Sequence, residues 1–382
     1  MEIWDYNLRH LAAVAQIARL GTMGAAARAV NLTQPALTQA LARVEALIGL
    51  PLFERRHNGM VATAATDLLS PRIHAALDHA ISPHVTTARM RALLALADGG
   101  GYLGASLATG LAVPTLHRAI KDLSLSLRKT LVQRRGNAVV LTEAGHALAR
   151  AFRLARVELE AGLAEIEALK GREIRRITVG AMPLSRARIL PAAVTRFLKR
   201  HPQVRIAIAE GARAELVEPL RNGVIDLMIG ALRDPMVEPD LVQTLLFEDE
   251  PIVVARAGHP LAGKTPDLHA LAQYSWVLPG RGSPLRTSWA AMFADAGVPA
   301  PPVPVESGSV MTIRQVLIDS DFLTLASPDQ VAVELEARWL TSLGNPPGSF
   351  HRQIGVTTRA SWRPTAVQAE FMADLVAVAP AR

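Results

Sequence analysis

Thr33-Gln34-Pro35-Ala36-Leu37-Thr38-Gln39-Ala40-Leu41-Ala42-Arg43-Val44-Glu45 reads as a capped helix with one apolar and one polar face. Thr33 suits the N-cap, and Pro35 falls in the first turn, where the N–H it lacks has no intrahelical partner anyway. Leu37, Leu41, Val44 and Leu47 recur at helical spacing and predict a buried stripe. Gln34, Thr38, Gln39 and Arg43 fall on the other face, and these side-chain types suit a major groove. Gln can bond adenine bidentately, Thr offers a hydroxyl and a methyl, and Arg suits guanine or phosphate. Upstream, Leu8, Leu11, Ala12, Val14 and Ala15 predict a helix that Gly21 ends, and Thr22 caps the next, Met23 to Val30. Downstream, Arg55-Arg56-His57-Asn58-Gly59 reads as a basic wing that would meet phosphate or the minor groove.

The whole pattern returns about 79 positions later without a gap, which points to internal duplication. Gly21, Leu32, Pro35, Leu37, Arg55, Arg56 and Asn58 recur as Gly100, Leu111, Pro114, Leu116, Arg134, Arg135 and Asn137. The second copy has changed in one direction. Val113 stands for Gln34, His117 for Thr38, Ser124 for Glu45, Arg128 for Gly49 and Val132 for Phe53. Arg118, Lys121, Arg128, Lys129, Arg134 and Arg135 are opposed locally by Asp122. Fewer base readers and more cations favour phosphate contact, with Thr115, His117, Arg118, Lys121, Arg134 and Arg135 as candidates. The alternative is a second copy that serves as a spacer or dimerisation platform.

A chain of 382 residues predicts several domains. Half of it is hydrophobic, aromatics are few, and the net charge of +7 fits a polyanionic partner. The absence of cysteine excludes disulfides, thiolate metal sites and cysteine nucleophiles. The start Met1-Glu2-Ile3-Trp4-Asp5 has no apolar leader pattern, and no apolar run reaches the roughly 18 to 20 residues of a membrane span, so a cytoplasmic protein is expected. A linker helix is predicted from about Asp67 to Ala80, ended at Ser82-Pro83, and a longer one from Glu143 to Lys170. Leu148, Phe152, Leu159, Leu163, Ile166 and Leu169 form the stripe of the longer helix, which calls for a partner, so at least a dimer is expected.

Beyond it strands and helices alternate: strands at Ile177–Gly180, Val204–Ile208 and Asp226–Gly230, with helices Ile189–Arg200 and Ala214–Asn222 between them. Such alternation predicts a parallel, doubly wound sheet. A second lobe is expected from Ala257, holding strands at Ser275–Leu278, Val303–Glu306 and Phe322–Ala326 and helices Leu285–Asp295 and Val310–Asp319. The chain then returns for a strand near Gln353–Val356 and a helix Pro364–Ala377. Loops at strand ends and helix starts carry Ser185, Arg186, Arg213, Arg281, Ser283, Ser307 and Ser309, which suit a small anion or a polyhydroxy compound.

Thr33-Gln34-Pro35-Ala36-Leu37-Thr38, then Val44-Glu45, then Gly49-Leu50-Pro51-Leu52-Phe53-Glu54-Arg55 resembles the N-terminal winged helix of LysR-type transcriptional regulators. Val139-Val140-Leu141-Thr142-Glu143-Ala144-Gly145 resembles the family's wing exit. The resemblance implies double-stranded DNA, a small-molecule effector and a homo-oligomer, dimer or tetramer, as partners, with no cofactor. It places Gln34, Pro35 and Thr38 at base-contacting positions and pairs the long helices of two chains antiparallel. Together with the repeat, it implies two mainly α winged helix-turn-helix modules with linker helices, then a two-lobed α/β effector domain like the periplasmic binding proteins, its ligand between the lobes. The expected divisions are 1–66 and 86–145 for the modules, 67–85 and 146–171 for the linkers, 172–256 with 350–382 for lobe one, and 257–349 for lobe two. Thr357-Thr358-Arg359-Ala360-Ser361-Trp362-Arg363-Pro364-Thr365 is similar to the branch of sugar-binding-protein and protocatechuate-pathway regulators, which suggests a sugar or a carboxylic acid.

An enzyme is not expected. No His-Glu-x-x-His, Gly-x-Ser-x-Gly, phosphate-binding Gly-Lys loop or paired-cysteine set is present, so neither catalytic nor metal residues are proposed. A solute-binding or sensor protein would account for the C-terminal half and leaves the repeated N-terminal pattern unexplained.

Overall fold

A computed structural model describes residues 2–57, 59–80, 82, 85–136, 138–172, 176–348 and 350–380; Asn58, Pro83 and Asn137, named above, lie outside them. It divides into two compact units, residues 1–175 and 176–382.

The first unit runs α1 (Leu8–Leu20), α2 (Met23–Ala29), α3 (Gln34–Ile48), β1 (Phe53–Arg56), β2 (Gly59–Ala62) and α4 (Ala64–Ala80). The same order follows as α5 (Thr87–Asp98), α6 (Tyr102–Thr109), α7 (Val113–Leu127), β3 (Val132–Arg135), β4 (Ala138–Leu141) and α8 (Glu143–Leu169). Local chemistry sets the boundaries. The Asn7, Thr22 and Thr33 side chains accept backbone N–H bonds at the starts of α1, α2 and α3, and Gly21 and Gly49 close α1 and α3 in the left-handed region. Each strand pair is an antiparallel hairpin.

Helix α8 does not wait for a second chain. Its Leu148, Phe152, Leu159 and Ile166 are buried in one continuous core with Leu69, Ile73 and Ala76 of α4, so the partner expected from another chain is supplied by this one. The two helices run antiparallel. The hydroxyl of Thr66, near the start of α4, donates to the Leu52 carbonyl, and Lys170, just past the end of α8, donates to the nearby Ile48 carbonyl. Thr142, which caps the start of α8, bonds instead to Thr130 of the second module. Gly162 makes the close approach possible: a Cβ there would lie 3.0 Å from Leu69 Cδ1 and 3.1 Å from Arg72 Cβ. Arg72 is buried against Glu158 at 3.1 Å and Glu165 at 2.9 Å.

The second unit begins with β5 (Arg176–Ala181), α9 (Ile189–Leu198), β6 (Arg205–Glu210), α10 (Arg213–Arg221), β7 (Leu227–Ala231) and β8 (Leu241–Asp249). It continues with β9 (Ile252–Arg256), α11 (Leu268–Leu271), β10 (Val277–Leu278), α12 (Pro284–Asp295), β11 (Val305–Glu306), α13 (Val310–Ile318), β12 (Thr324–Ala326), α14 (Ala332–Glu336) and β13 (Leu340–Ser342). It ends with β14 (Arg352–Arg359) and α15 (Ala366–Val378). The first lobe is a five-stranded sheet in the order β6-β5-β7-β14-β8. Its β6-β5-β7 part is parallel, as expected for those three strands, while the returning β14 runs antiparallel to both neighbours. The crossing to lobe two also comes earlier than Ala257. Strand β9 is the centre of the β12-β9-β13 sheet, with Val253, Val254 and Ala255 in that lobe's cores.

Candidate nucleic-acid interface and effector cleft

Helix α3 turns Leu37, Ala40, Leu41, Val44 and Ile48 inward, which fixes Gln34, Gln39 and Arg43 on its exposed face. Thr33 is exposed and its hydroxyl accepts from Ala36 N–H; Pro35 is exposed beside it. Thr38 is half-buried and its hydroxyl donates to the Gln34 carbonyl at 3.0 Å, a local bond that a single rotation about χ1 releases. Glu45 sets the way out of the helix by accepting Leu52 N–H at 2.7 Å. Arg55 and Arg56 are exposed on the wing, Arg56 paired with Glu54 at 3.0 Å. The wing is pinned to the first turn of the module by Met60 N–H donating to the Gly21 carbonyl at 2.8 Å. Gly59 permits this contact: its φ is +134° and a Cβ would lie 2.6 Å from that same carbonyl.

The second module keeps the frame and loses several of these devices. Ala112 precedes α7 with no side-chain cap, Ser124 stands for Glu45, and Ala138 stands for Gly59. Thr115, Arg118, Lys121, Arg134 and Arg135 are all exposed. His117 lies against the Tyr102 ring, centroids 5.4 Å apart, which holds the imidazole to the helix surface. What this face presents is mostly positive charge.

In the second unit the expected effector residues do not form one cluster. Ser185 is fully buried and its hydroxyl donates to the Met182 carbonyl, so it is closed off to a ligand. Ser307 is turned inward to accept Ser309 N–H at 3.1 Å, and Ser309 in turn caps α13. Arg186 and Ser309 line a cavity of about 600 Å³ between the lobes, but Arg213, Arg281, Ser283 and Ser307 do not. Its charged lining is Arg186 and Arg188 against Glu210, Asp329, Glu334 and Glu336, with Arg186 paired to Glu210 at 2.8 Å. That balance does not favour an anion.

A second group is cationic. Arg213 is buried at the start of α10 and pairs with Glu238 at 2.6 Å, while its Nη1 has no hydrogen-bond partner. Arg233 reaches across to the other lobe and donates to the Gly282 carbonyl at 3.2 Å. Burial and the Arg213 charge push the Arg233 guanidinium below its ordinary range. Ser283 caps α12, and Arg286 in that helix stacks 4.8 Å over Trp289 with its own Nη1 unpartnered. Arg281 is exposed, with Glu306 at 3.9 Å. Sequence reasoning misses Arg233 and Arg286, because no local pattern distinguishes them from other surface arginines.

His259 is a turn fastener: it is buried, Nδ1 accepts Leu261 N–H and Nε2 faces the Asp321 carbonyl. Among the described residues no cluster of three or more His, Asp or Glu could hold a metal ion, and no helix is long and apolar enough to cross a membrane.

Residues 8–66 and 87–146 each match the family described as bacterial regulatory helix-turn-helix protein, lysR family, and residues 170–379 match the LysR substrate binding domain. The HTH-type transcriptional regulator GalR of Pseudomonas putida is 34% identical over 367 residues, 93% of this chain and 92% of that protein. A full-length OxyR variant from Pseudomonas aeruginosa superposes with a TM-score of 0.58 at 23% identity, covering 78% of this chain and 96% of that one. Full-length LysG from Corynebacterium glutamicum, solved with bound effector Arg, gives 0.56 at 19% identity, covering 76% and 96%.

Proposed function

The chain belongs to the LysR family of DNA-binding transcriptional regulators that respond to small-molecule effectors, and we propose how its residues divide that work. Residues 1–66 and 86–145 are duplicated winged helix-turn-helix modules, 67–85 and 146–171 their linker helices, and the remainder the two-lobed effector domain. The first module reads sequence through Gln34, Thr38 and Arg43, with Gln39 beside them and Arg55 and Arg56 on the backbone. The observation that carries this reading is the exposed polar face of α3, held rigid by its buried stripe and flanked by a pinned basic wing. The protein acts in the cytoplasm on double-stranded DNA and performs no catalysis of its own; α8, the helix expected to join two chains, is covered within its own chain.

The second module holds phosphate. Replacing Arg118, Lys121, Arg134 and Arg135 by alanine is expected to flatten the plot of log affinity against log salt, by roughly 0.9 for each phosphate that is no longer neutralised. Fluorescence anisotropy at several salt concentrations measures it. An unchanged slope favours the platform reading instead.

The effector is a small anion, a carboxylic acid before a sugar, bound by Arg213, Arg233 and the Ser283-capped start of α12. The unpartnered Nη1 of Arg213 and a helix N-terminus both favour negative charge there. A ligand that prefers one arrangement of the lobes shifts its population and through it the affinity for DNA. In a thermal-shift screen on the full chain, a binding carboxylic acid raises Tm. Arg233→Gln with Ser283→Ala is expected to remove the rise; a full rise in that variant places the ligand elsewhere.

A further inference from the structure

Helices α4 and α8 are equivalent elements of the two modules, and they pack antiparallel inside one chain. Leu69, Ile73 and Ala76 recur at the repeat spacing as Leu148, Phe152 and Ala155, and all of them are buried. Two equivalent helices packed antiparallel are related by a local two-fold axis, and the modules they carry share it. Duplex DNA has two-fold axes of its own, so modules related in this way present their recognition helices to two half-sites.

The charges across the pair are not symmetric. Arg72 of α4 is buried against Glu158 and Glu165 of α8. At the repeat spacing the counterpart of Arg72 is Ala151, and the counterparts of the two glutamates are His79 and Thr86. Pairing α4 with the α4 of a second chain would set Arg72 opposite His79 and no carboxylate, since α4 ends at Ala80, before Thr86. Pairing two α8 helices would set Glu158 and Glu165 opposite Ala151. Either arrangement strands a buried charge without its partner, which selects the α4–α8 pair over like-with-like pairing of α4 or α8 between chains. The tether acts in the same direction. Residues 81–86 alone separate α4 from α5, so each module stays at high effective concentration beside the other.

We propose that a single chain is a complete two-headed DNA reader whose operator is asymmetric. Helix α3 reads one half-site by sequence, and α7 grips the adjoining half by its phosphates, where sequence is free to vary. This rests on the assignment of DNA binding made above. It adds that the second half-site is met by the same chain and carries no consensus.

The test is selection of bound sequences by the full chain from a pool of random duplexes, followed by hydroxyl-radical footprinting on a selected duplex. The expected result is one informative block without a mirrored copy, and protection extending beyond that block on one side over bases of no consensus. Arg118→Gln, Lys121→Gln, Arg134→Gln and Arg135→Gln together should remove the extended protection while leaving the selected block unchanged. All of these side chains are exposed, and an unchanged far-UV spectrum confirms that the variant folds. An inverted repeat with two equally informative blocks overturns the proposal, because two first modules from two chains are then reading it. Loss of the block rather than the extension, in the glutamine variant, overturns it as well. Failure to enrich any sequence removes the DNA-binding assignment and this proposal with it.

Discussion

Replacing Arg72 by alanine is expected to destabilise the first unit by about 3–5 kcal/mol, the usual cost of leaving a buried charge without its partner. Burial alone would lower the Arg72 pKa, but its bonds to Glu165 and Glu158 overcome that and hold it raised. Both carboxylates are themselves nearly buried, and the alanine leaves them facing each other across a void. Urea unfolding followed by far-UV circular dichroism measures the loss as a drop in the midpoint of the first unit's transition. A companion variant, Arg72→Met with Glu158→Leu and Glu165→Gln, should recover most of it, because well-packed apolar groups often equal a buried ion pair in stability. The companion would lose what the pair supplies beyond stability, the preference of α4 for α8. If Arg72→Ala costs less than about 1 kcal/mol, the three charges are exposed to solvent rather than buried together.

The expected stripe on α8 is legible in the sequence, but its partner is not. Periodicity at Leu148, Phe152, Leu159 and Ile166 says that a face is covered, not what covers it. Arg72 holds the missing information and looks like any charge on a helix, since its two acceptors lie far away in sequence. The caps of α2 and α3 and the left-handed glycines are readable because they act within a few residues. Strand β8 is absent from the sequence-based expectation. Its pairing with β14 shifts register at Ile354/Gly355, so Leu246 and Phe247 are buried in succession and the alternation that marks a strand is broken. Composition locates the effector loops, and it finds hydroxyls but not their bonds. Ser185 and Ser307 bond to the backbone, and Arg233 and Arg286 owe their interest to partial burial and tertiary neighbours that no local pattern announces. Arg359 belongs to a family-like stretch; it is a buried strut that donates to the Leu220 and Ile225 carbonyls.

Gln34→Ala with Thr38→Ala is expected to cost roughly 1–3 kcal/mol of specific binding for each base that is no longer read. Non-specific binding and its salt dependence should stay as they were, because neither side chain carries charge and the basic wing is untouched. Stability should change little. Gln34 is exposed, the Thr33 cap remains, and the Thr38 hydroxyl bonds only to a carbonyl already within the helix. The contrast with the second module makes the result decisive. The same two positions are already changed there, to Val113 and His117, and the module keeps its helices, its hairpin and its exposed cations. If selected duplexes and random duplexes lose affinity equally in the double variant, α3 acts through the backbone and sequence is read elsewhere. If the selected sequence keeps its full advantage, α3 is not the reader at all.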